Sequence, residues 1–202
     1  MLRWLFKRER TGIEEAARQF QLGNDFARQG RHREAEASYR RALAADDHLA
    51  EAHCNLGNIV REGGRLDEAL AAYERALALK PHFAEALYNL GNVLKDVGRV
   101  EEAIIAYRRA MQLAPQDAQI HSNLLHALNY APAAAPAEIH AEHLAFGRRF
   151  AGLANPRGFA NPRQESRRLR VGYVSADLRR HPVAQFMEPV LASHDHARFE
   201  IF

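Results

Sequence analysis

The sequence is poor in the residues that mark secreted and membrane proteins. It contains one cysteine, Cys54, among 202 residues, so no disulfide can form within the chain, and we expect a reducing, cytoplasmic location. No run approaches the roughly 20 consecutive apolar residues that a membrane-spanning helix needs. Residues 1–10 also lack the apolar stretch of a signal peptide. The sequence therefore predicts no membrane partner.

Aromatic residues are also few, and basic and acidic residues are nearly balanced. Aromatic residues make up 8% of the chain, and 28 basic residues stand against 25 acidic ones. Seven arginines and a single glutamate nevertheless fall within residues 148–170. Such a cluster can contact a nucleic-acid backbone, or it can be a solvated linker. We favour the linker, because no RNA-binding signature accompanies the cluster, and we expect no nucleic acid as a partner.

Glycine and proline are few, and many of the glycines follow a period of 34 residues. The residues that recur at this spacing include Leu22, Leu56, Leu90 and Leu124; Gly23, Gly57 and Gly91; Asn24, Asn58 and Asn92; Gly30, Gly64 and Gly98; Tyr39, Tyr73 and Tyr107; and Ala42, Ala76 and Ala110. A 34-residue period with this pattern resembles the tetratricopeptide repeat, in which each unit is a helix–turn–helix. The sequence therefore predicts a mainly α protein built as an α-solenoid.

The repeat pattern also sets the expected domain boundaries. An N-terminal extension, residues 1–15, precedes the repeats. The predicted units are 16–49, 50–83 and 84–117, followed by a partial unit at 118–130. Three units are about the minimum that can bury a shared core, so the array is expected to fold.

The third unit shows the expected local structure. Apolar residues at helical spacing predict a first helix over residues 84–97, and Glu101 begins a second helix that Pro115 prevents from continuing. Gly98 suits the left-handed position at a helix end. Gly91 lies inside the first helix, where glycine costs about 1 kcal/mol relative to alanine. Its recurrence in three units therefore predicts a close helix–helix approach. The expected inward residues of the second helix are Ala103, Tyr107 and Ala110.

Asparagines recur at two positions of the first helix in each unit. The first position holds Asn55, Asn89 and Asn123, and the second holds Asn58 and Asn92, with His126 in the fourth unit. Residues about one turn apart share a helix face, so Asn55, Asn58 and Glu62 should form a polar stripe. Side-chain amides can pair with an extended peptide backbone, which predicts a peptide-binding ladder that starts at Asn55, since Gln21 occupies the earlier unit. The alternative is a purely structural role, because asparagine is common at these positions in tetratricopeptide repeats of every function.

Residues 131–168 read as a linker that contains one helix, at 138–151. His140 and His143 lie one turn apart on that helix, but two ligands without a third make a poor metal site, and we predict no metal. Cys54 has no obvious base beyond His53. We therefore interpret it as a core thiol and not as a nucleophile.

The last residues have a different pattern. Residues 169–174 are β-branched and aromatic, as in a buried strand, and Pro182 suits the first turn of a following helix. A second strand is expected at 199–202. This strand–helix–strand order indicates an α/β sheet, whose ligands bind beyond the carboxyl ends of its strands. Asp177, in the loop after the first strand, lies at such an end.

Three segments carry a resemblance to a known family: residues 124–132, the helix at 138–143, and residues 172–177 followed by His181 and Pro182. Together they resemble the protein O-linked N-acetylglucosaminyltransferase family, including its bacterial and Spindly-like relatives. The resemblance implies tetratricopeptide repeats that precede a catalytic region of two Rossmann-like lobes of GT-B type. It also implies transfer of N-acetylglucosamine from a UDP donor to serine or threonine of acceptor proteins, with inversion and without a metal or other cofactor.

The resemblance assigns one candidate catalytic residue. His181 matches the histidine of the family's His-Pro motif and could accept a proton as a base; alternatively it caps its helix or contacts substrate. The family's donor-binding residues lie in a second lobe that nothing here matches, so we interpret 169–202 as the truncated start of the catalytic domain. We therefore expect the 202-residue chain alone to be inactive. The alternative function is a non-catalytic, peptide-binding scaffold.

Overall fold

The structure, a computed structural model, describes residues 2–150, 169–171 and 182–201, with side chains described for 12–150 and 187–199. The chain divides into two compact units, Met1–Asn155 and Pro156–Phe202. The first unit is helical, and the second contains two short strands and a helix.

The first unit is an α-solenoid built from helical hairpins, as predicted. Its helices in the described residues are α1 (Leu2–Arg28), α2 (His32–Ala45), α3 (Ala50–Glu62), α4 (Leu66–Leu79), α5 (Ala84–Asp96), α6 (Val100–Leu113), α7 (Ala118–Tyr130) and α8 (Pro136–Phe150). Each odd-numbered helix packs against the even-numbered helix that follows it, and α3 and α5 also contact the odd-numbered helices of the next units. We call α1, α3, α5 and α7 the inner helices.

The N-terminal extension is continuous with the first repeat helix. Helix α1 begins at Leu2 and ends at Arg28, so residue 16, the predicted start of the repeats, is not a break in the backbone. Arginine and glutamate are frequent before this position, and alanine, arginine and glutamine are frequent after it; these residues favour helix and supply no stop signal. The repeat boundary is therefore a boundary of packing and not of secondary structure.

Glycine makes the turn within each hairpin. Gly98 has φ 80°, its amide donates to the Lys95 carbonyl at 3.0 Å, and the Arg99 amide donates to the Leu94 carbonyl at 2.8 Å. This is the Schellman arrangement, which satisfies the last helical carbonyls and favours glycine because φ is positive. Gly30 and Gly64 have φ 72° and 76°, so the same turn recurs in all three units, as predicted for Gly98.

The core of each hairpin is a tyrosine ring seated on a glycine. Tyr73 is fully buried, and a Cβ built on Gly57 would lie 2.6 Å from its Cε1 atom. Gly91 has the same relation to Tyr107. The predicted close approach is therefore confirmed, and its cause is the ring of the partner helix. The alanines that recur on the same helices as the rings are also buried: Ala35, Ala42, Ala69, Ala76, Ala103 and Ala110.

Part of the predicted linker packs on the array as a fourth hairpin. Helix α8 begins at Pro136, a residue suited to the first turn, and packs against α7. Ile139 is half-buried against the main core, and Glu138 pairs with Arg108 of α6. No residue of α8 is fully buried, and Leu144 is 48% exposed. The repeat pattern thus fades after residue 130, while the packing continues.

The second unit contains a strand–helix–strand element. Strands β1 (Leu169–Val171) and β2 (Phe199–Ile201) are paired in parallel, with Leu169 opposite Phe199, and α9 (Pro182–Ala192) lies between them in sequence. Parallel neighbours require such a crossover, so the α/β prediction and the helix start at Pro182 are confirmed. The predicted remainder of the two strands falls at 172–174 and 202, outside the described residues. Within the described part of the chain, no helix has the length and apolarity to cross a membrane.

Candidate peptide-binding groove

The predicted asparagines all lie on inner helices and form two sets. We call Asn24, Asn58 and Asn92 the junction asparagines, and Asn55, Asn89 and Asn123 the ladder asparagines. The first set includes Asn24, which the sequence analysis did not place in the candidate site. Both sets are at least partly buried, so their polar atoms require partners.

Each junction asparagine ties its own unit to the next. The Oδ1 atom of Asn58 accepts one hydrogen bond from the Tyr73 hydroxyl at 2.7 Å and one from Nδ2 of Asn89 at 2.9 Å. The same pair of bonds recurs in the two other junctions. Asn24 accepts from Tyr39 at 2.8 Å and from Asn55 at 2.9 Å, and Asn92 accepts from Tyr107 at 2.8 Å and from Asn123 at 2.9 Å. Four successive units, including the partial unit at 118–130, are therefore joined by the same atoms.

These bonds leave part of each amide unused. Within the described part of the chain, the Oδ1 atoms of Asn55, Asn89 and Asn123 accept no hydrogen bond, and none of them is sealed from solvent. The Nδ2 groups of the junction asparagines likewise donate no bond there. An extended peptide needs one acceptor and one donor per residue. The structural role of the asparagines and the predicted peptide-binding role therefore use different atoms, and the second stays a prediction.

The hydrogen-bond network extends one unit beyond the predicted ladder. Asn55, where the ladder is predicted to start because Gln21 replaces asparagine in the first unit, donates to Asn24. The signal was present in the sequence, because a tyrosine follows each junction asparagine by 15 residues. Spacing alone does not say that such residues meet across two helices. That contact depends on the hairpin geometry that Gly23 and its equivalents permit.

The predicted polar stripe lines a shared opening. Asn55, Asn58 and Glu62 border a cavity of about 480 Å³, together with Asn24 and His32. The Nδ1 atom of His32 lies 3.2 Å from a carboxylate oxygen of Glu62. The opening is therefore polar and bears a carboxylate at its rim, which suits a polar, extended occupant.

The network changes at the fourth unit. Asn123 donates to Asn92 and also to the Tyr88 hydroxyl, at 3.1 Å, but His126 takes the place of a junction asparagine. The ring of His126 lies 4.9 Å from that of Tyr130, which is 66% exposed. The amide network therefore ends at this unit, and an exposed aromatic pair follows it.

Burial fixes the protonation of the groups behind the groove. It raises the pKa of the Cys54 thiol to about 12 and raises the pKa of Tyr73 and Tyr107 above their ordinary value. The tyrosine hydroxyls therefore remain hydrogen-bond donors to Asn58 and Asn92 at neutral pH. Cys54 is fully buried and stays a neutral thiol, in agreement with its interpretation as a core residue and not as a nucleophile.

His181 and Asp177 lie outside the described residues. His140 and His143 are exposed on α8, and among the described residues no three metal-binding side chains come together. The site that the structure does describe is therefore the groove of the inner helices.

Known families match the repeats and the C-terminal part of the chain separately. The family described as TPR repeat matches residues 57–98, and Tetratricopeptide repeat matches residues 84–117, which coincide with the third predicted unit. Glycosyl transferase family 41 matches residues 105–202. Among solved structures, the O-GlcNAc transferase of Thermobaculum terrenum is 34% identical, with a TM-score of 0.65 over 94% of this chain and 37% of that one. The chain is a tetratricopeptide-repeat protein of the O-GlcNAc transferase family.

Relatives of known name place it within that family. The probable UDP-N-acetylglucosamine–peptide N-acetylglucosaminyltransferase SPINDLY of Oryza sativa subsp. japonica is 35% identical over 80 residues, which are 39% of this chain and 9% of the rice protein. The chain therefore spans about a tenth of the length of this O-GlcNAc transferase relative. A repeat domain of Spaghetti (RPAP3), solved with an HSP90 peptide, is 21% identical with a TM-score of 0.57, a likeness of fold alone.

Proposed function

We propose that the protein to which this chain belongs is a protein O-glycosyltransferase, which transfers N-acetylglucosamine from its UDP donor to serine or threonine of acceptor proteins. The observation that carries the proposal is the match of residues 105–202 to Glycosyl transferase family 41, directly after a repeat array. The match overlaps α6 and α7 and extends through the strand–helix–strand element. An array of binding repeats joined to a transferase region is suited to an enzyme that recruits polypeptide substrates.

In this proposal the groove of the inner helices binds the acceptor polypeptide. The ladder asparagines offer free Oδ1 acceptors, and the junction asparagines offer free Nδ2 donors, at intervals of one repeat. Backbone-directed amides hold an extended chain with little regard to its sequence. Such a groove would serve an enzyme with many acceptors, and each repeat would add a small increment of affinity.

The chemistry itself rests on the family resemblance. His181 is proposed to lie at the reacting centre, either as the base that accepts the acceptor hydroxyl proton or as a contact to substrate. The sugar donor is a substrate, and we propose that transfer needs neither a metal nor another cofactor and takes place in the cytoplasm. We expect the 202-residue polypeptide alone not to transfer sugar, because the family's donor-binding lobe matches no segment of it.

Binding of peptide is the first test. We expect a fluorescein-labelled serine- and threonine-rich peptide to bind the full chain, and expect the variant Asn55→Ala, Asn89→Ala, Asn123→Ala to bind it at least about tenfold more weakly. Tyr73→Phe is the matched control, since it removes a hydrogen bond from a junction but leaves every amide of the groove in place. Equal loss in both variants would indicate a folding effect and contradict the groove.

Transfer is tested with a chimaera. This chain replaces the corresponding 37% of the Thermobaculum terrenum transferase, and incorporation of radiolabelled N-acetylglucosamine into protein is measured. We expect activity in the chimaera, its loss in His181→Ala and its retention in His143→Ala, a control on exposed α8. Calorimetry of the 202-residue chain with UDP-N-acetylglucosamine is expected to show no binding, and micromolar affinity would contradict this expectation.

A further inference from the structure

One cation on the inner helices, Arg61, has no partner among the residues that the structure describes. Arg61 of α3 is half-buried, its Nε atom is shielded from solvent and donates to no acceptor, and no described carboxylate lies within ion-pair distance of its guanidinium. The other described arginines of the first unit without an ion pair or hydrogen bond are exposed and solvated by water: Arg33, Arg41, Arg148 and Arg149. A half-buried guanidinium loses hydration, so the missing acceptor is unfavourable for the free protein.

Arg61 lies on inner helix α3, next to Glu62, which borders the opening of the candidate groove. It follows Asn58 by three residues on α3, and therefore shares the face that carries the junction asparagine. Burial raises the pKa of Tyr73 and Tyr107, and the positive charge of Arg61 opposes this rise in both. Since these two hydroxyls bind Asn58 and Asn92, the guanidinium lies near two successive junctions.

The equivalent positions of the other units differ. The 34-residue period places Ala27 in the first unit, Lys95 in the third and Asn129 in the fourth. Nζ of Lys95 lies 2.9 Å from Oδ1 of Asp96, so its charge is already compensated. Among the described units, Arg61 alone presents an uncompensated cation at this position.

We propose that Arg61 binds the carboxylate of an aspartate or glutamate in the acceptor polypeptide, so that the groove prefers acceptors with an acidic residue opposite the second repeat unit. This inference rests on the proposed peptide-binding function. Carboxylate geometry matches the two-pronged guanidinium. A carboxylate fits better than a doubly charged phosphate. The negative charge of Glu62 raises the pKa of Tyr73 and that of Asp96 raises the pKa of Tyr107, the same two groups that Arg61 affects. These carboxylates would repel the second negative charge of a phosphate.

The test uses fluorescein-labelled peptides of alternating serine and valine, about twelve residues long, which span roughly 40 Å when extended. Three peptides differ at one central residue, which is glutamate, glutamine or phosphoserine. We measure their anisotropy with the full chain, with Arg61→Gln, and with Lys95→Gln as the matched control. Thermal unfolding of each variant verifies the fold.

We expect the native chain to bind the glutamate peptide about tenfold more tightly than the glutamine peptide. Arg61→Gln should reduce this preference to within about twofold, and Lys95→Gln should retain it. Added salt should weaken binding of the glutamate peptide and leave binding of the glutamine peptide unchanged. A preference that survives in Arg61→Gln, or tighter binding of the phosphoserine peptide, would overturn the assignment.

The outcomes separate this inference from the function on which it rests. If the glutamate and glutamine peptides bind the native chain equally well, the acidic preference is wrong and the peptide groove stands. If no peptide binds, while the chain is folded, both proposals fail. If Arg61→Gln unfolds, Arg61→Met takes its place, because methionine retains the aliphatic stem and lacks the charge. Loss of the preference for the glutamate peptide in Arg61→Met would then support the assignment.

Discussion

The joint between the two helices of a hairpin differs between the first three hairpins and the pair formed by α7 and α8. In the first three, a buried tyrosine ring rests on a glycine and its hydroxyl binds a junction asparagine. In the last, Nε2 of buried His121 lies 2.7 Å from Oε1 of Glu142, and its ring meets Phe146 edge-on at 5.1 Å. Gly147 on α8 faces open space.

The difference indicates where the array is rigid. The first three joints use fully buried rings and bonded amides, which allow few alternative arrangements. The joint at α8 uses half-exposed phenylalanines and one polar contact, and Nδ1 of His121 is buried without a partner. Elements with few buried contacts open locally at low free-energy cost. We therefore expect α8 to exchange its amide hydrogens well before the repeats do.

The largest expected effect tests the close contact between each mid-helix glycine and the tyrosine ring of the partner helix. Gly57→Leu places a side chain where even a Cβ would lie 2.6 Å from the Tyr73 ring, so overpacking should lower the free energy of unfolding by about 3 kcal/mol or more. Gly147→Leu, with nothing within 4 Å, should change it by less than about 0.5 kcal/mol or raise it, since leucine is the better helix former. Urea unfolding measures both. Equal changes in the free energy of unfolding would contradict the difference between the two joints.

The next effect tests the amide junction. Asn58→Ala leaves the Tyr73 hydroxyl and the Asn89 amide without their acceptor, which should cost about 2 kcal/mol of stability. His126→Ala, at the equivalent position of the fourth unit, removes an exposed ring and should cost under about 0.5 kcal/mol. Chemical denaturation of the two variants provides the comparison. A small cost for Asn58→Ala would mean that water replaces the lost bonds.

Alkaline pH should weaken the buried array through Cys54. Its thiol has a pKa near 9 when unfolded and about 12 when folded, so the folded state retains a proton that the unfolded state loses. The stabilisation is complete below pH 9 and declines as pH rises toward 12, by about 1.4 kcal/mol at pH 10. Urea titrations at pH 8 and 10 should show this fall, and Cys54→Ala should lack that part of it.

The smallest effect concerns the joint at α8. Glu142→Ala removes the only described partner of the His121 ring nitrogens and should cost about 1 kcal/mol, seen as faster hydrogen exchange in α8. The matched variant Glu138→Ala breaks the exposed pair with Arg108 and should cost under about 0.5 kcal/mol. If Glu142→Ala instead destabilises every helix equally, α8 is part of the same cooperative unit as the repeats.

Much of the fold was predictable because one physical signal recurred. The third unit was expected to have helices over 84–97 and 101–113, and α5 and α6 run Ala84–Asp96 and Val100–Leu113. Glycine in mid-helix predicted a close approach, and the Tyr107 ring is the neighbour that requires it. A period repeated three times reduces ambiguity, because a chance pattern in one unit would not return in the next.

The polar contacts of the site were not predictable in the same way. The pairing of Asn55 with Asn24 depends on how two inner helices meet across 31 residues of sequence. The contact of His121 with Glu142 joins a repeat helix to a segment that has no repeat pattern. Side-chain bonds between helices depend on distances of a few tenths of an ångström, which spacing along the chain does not determine.

The hydrogen bonds of the junction asparagines affect how the number of repeat units can change during evolution. Each unit presents the same acceptor to its successor and the same donor to its predecessor, so a copied or deleted block of 34 residues would meet matching surfaces on both sides. Array length could then change by whole units without new compensating substitutions. The length of the groove along the inner helices would be adjustable by recombination, in steps of one unit.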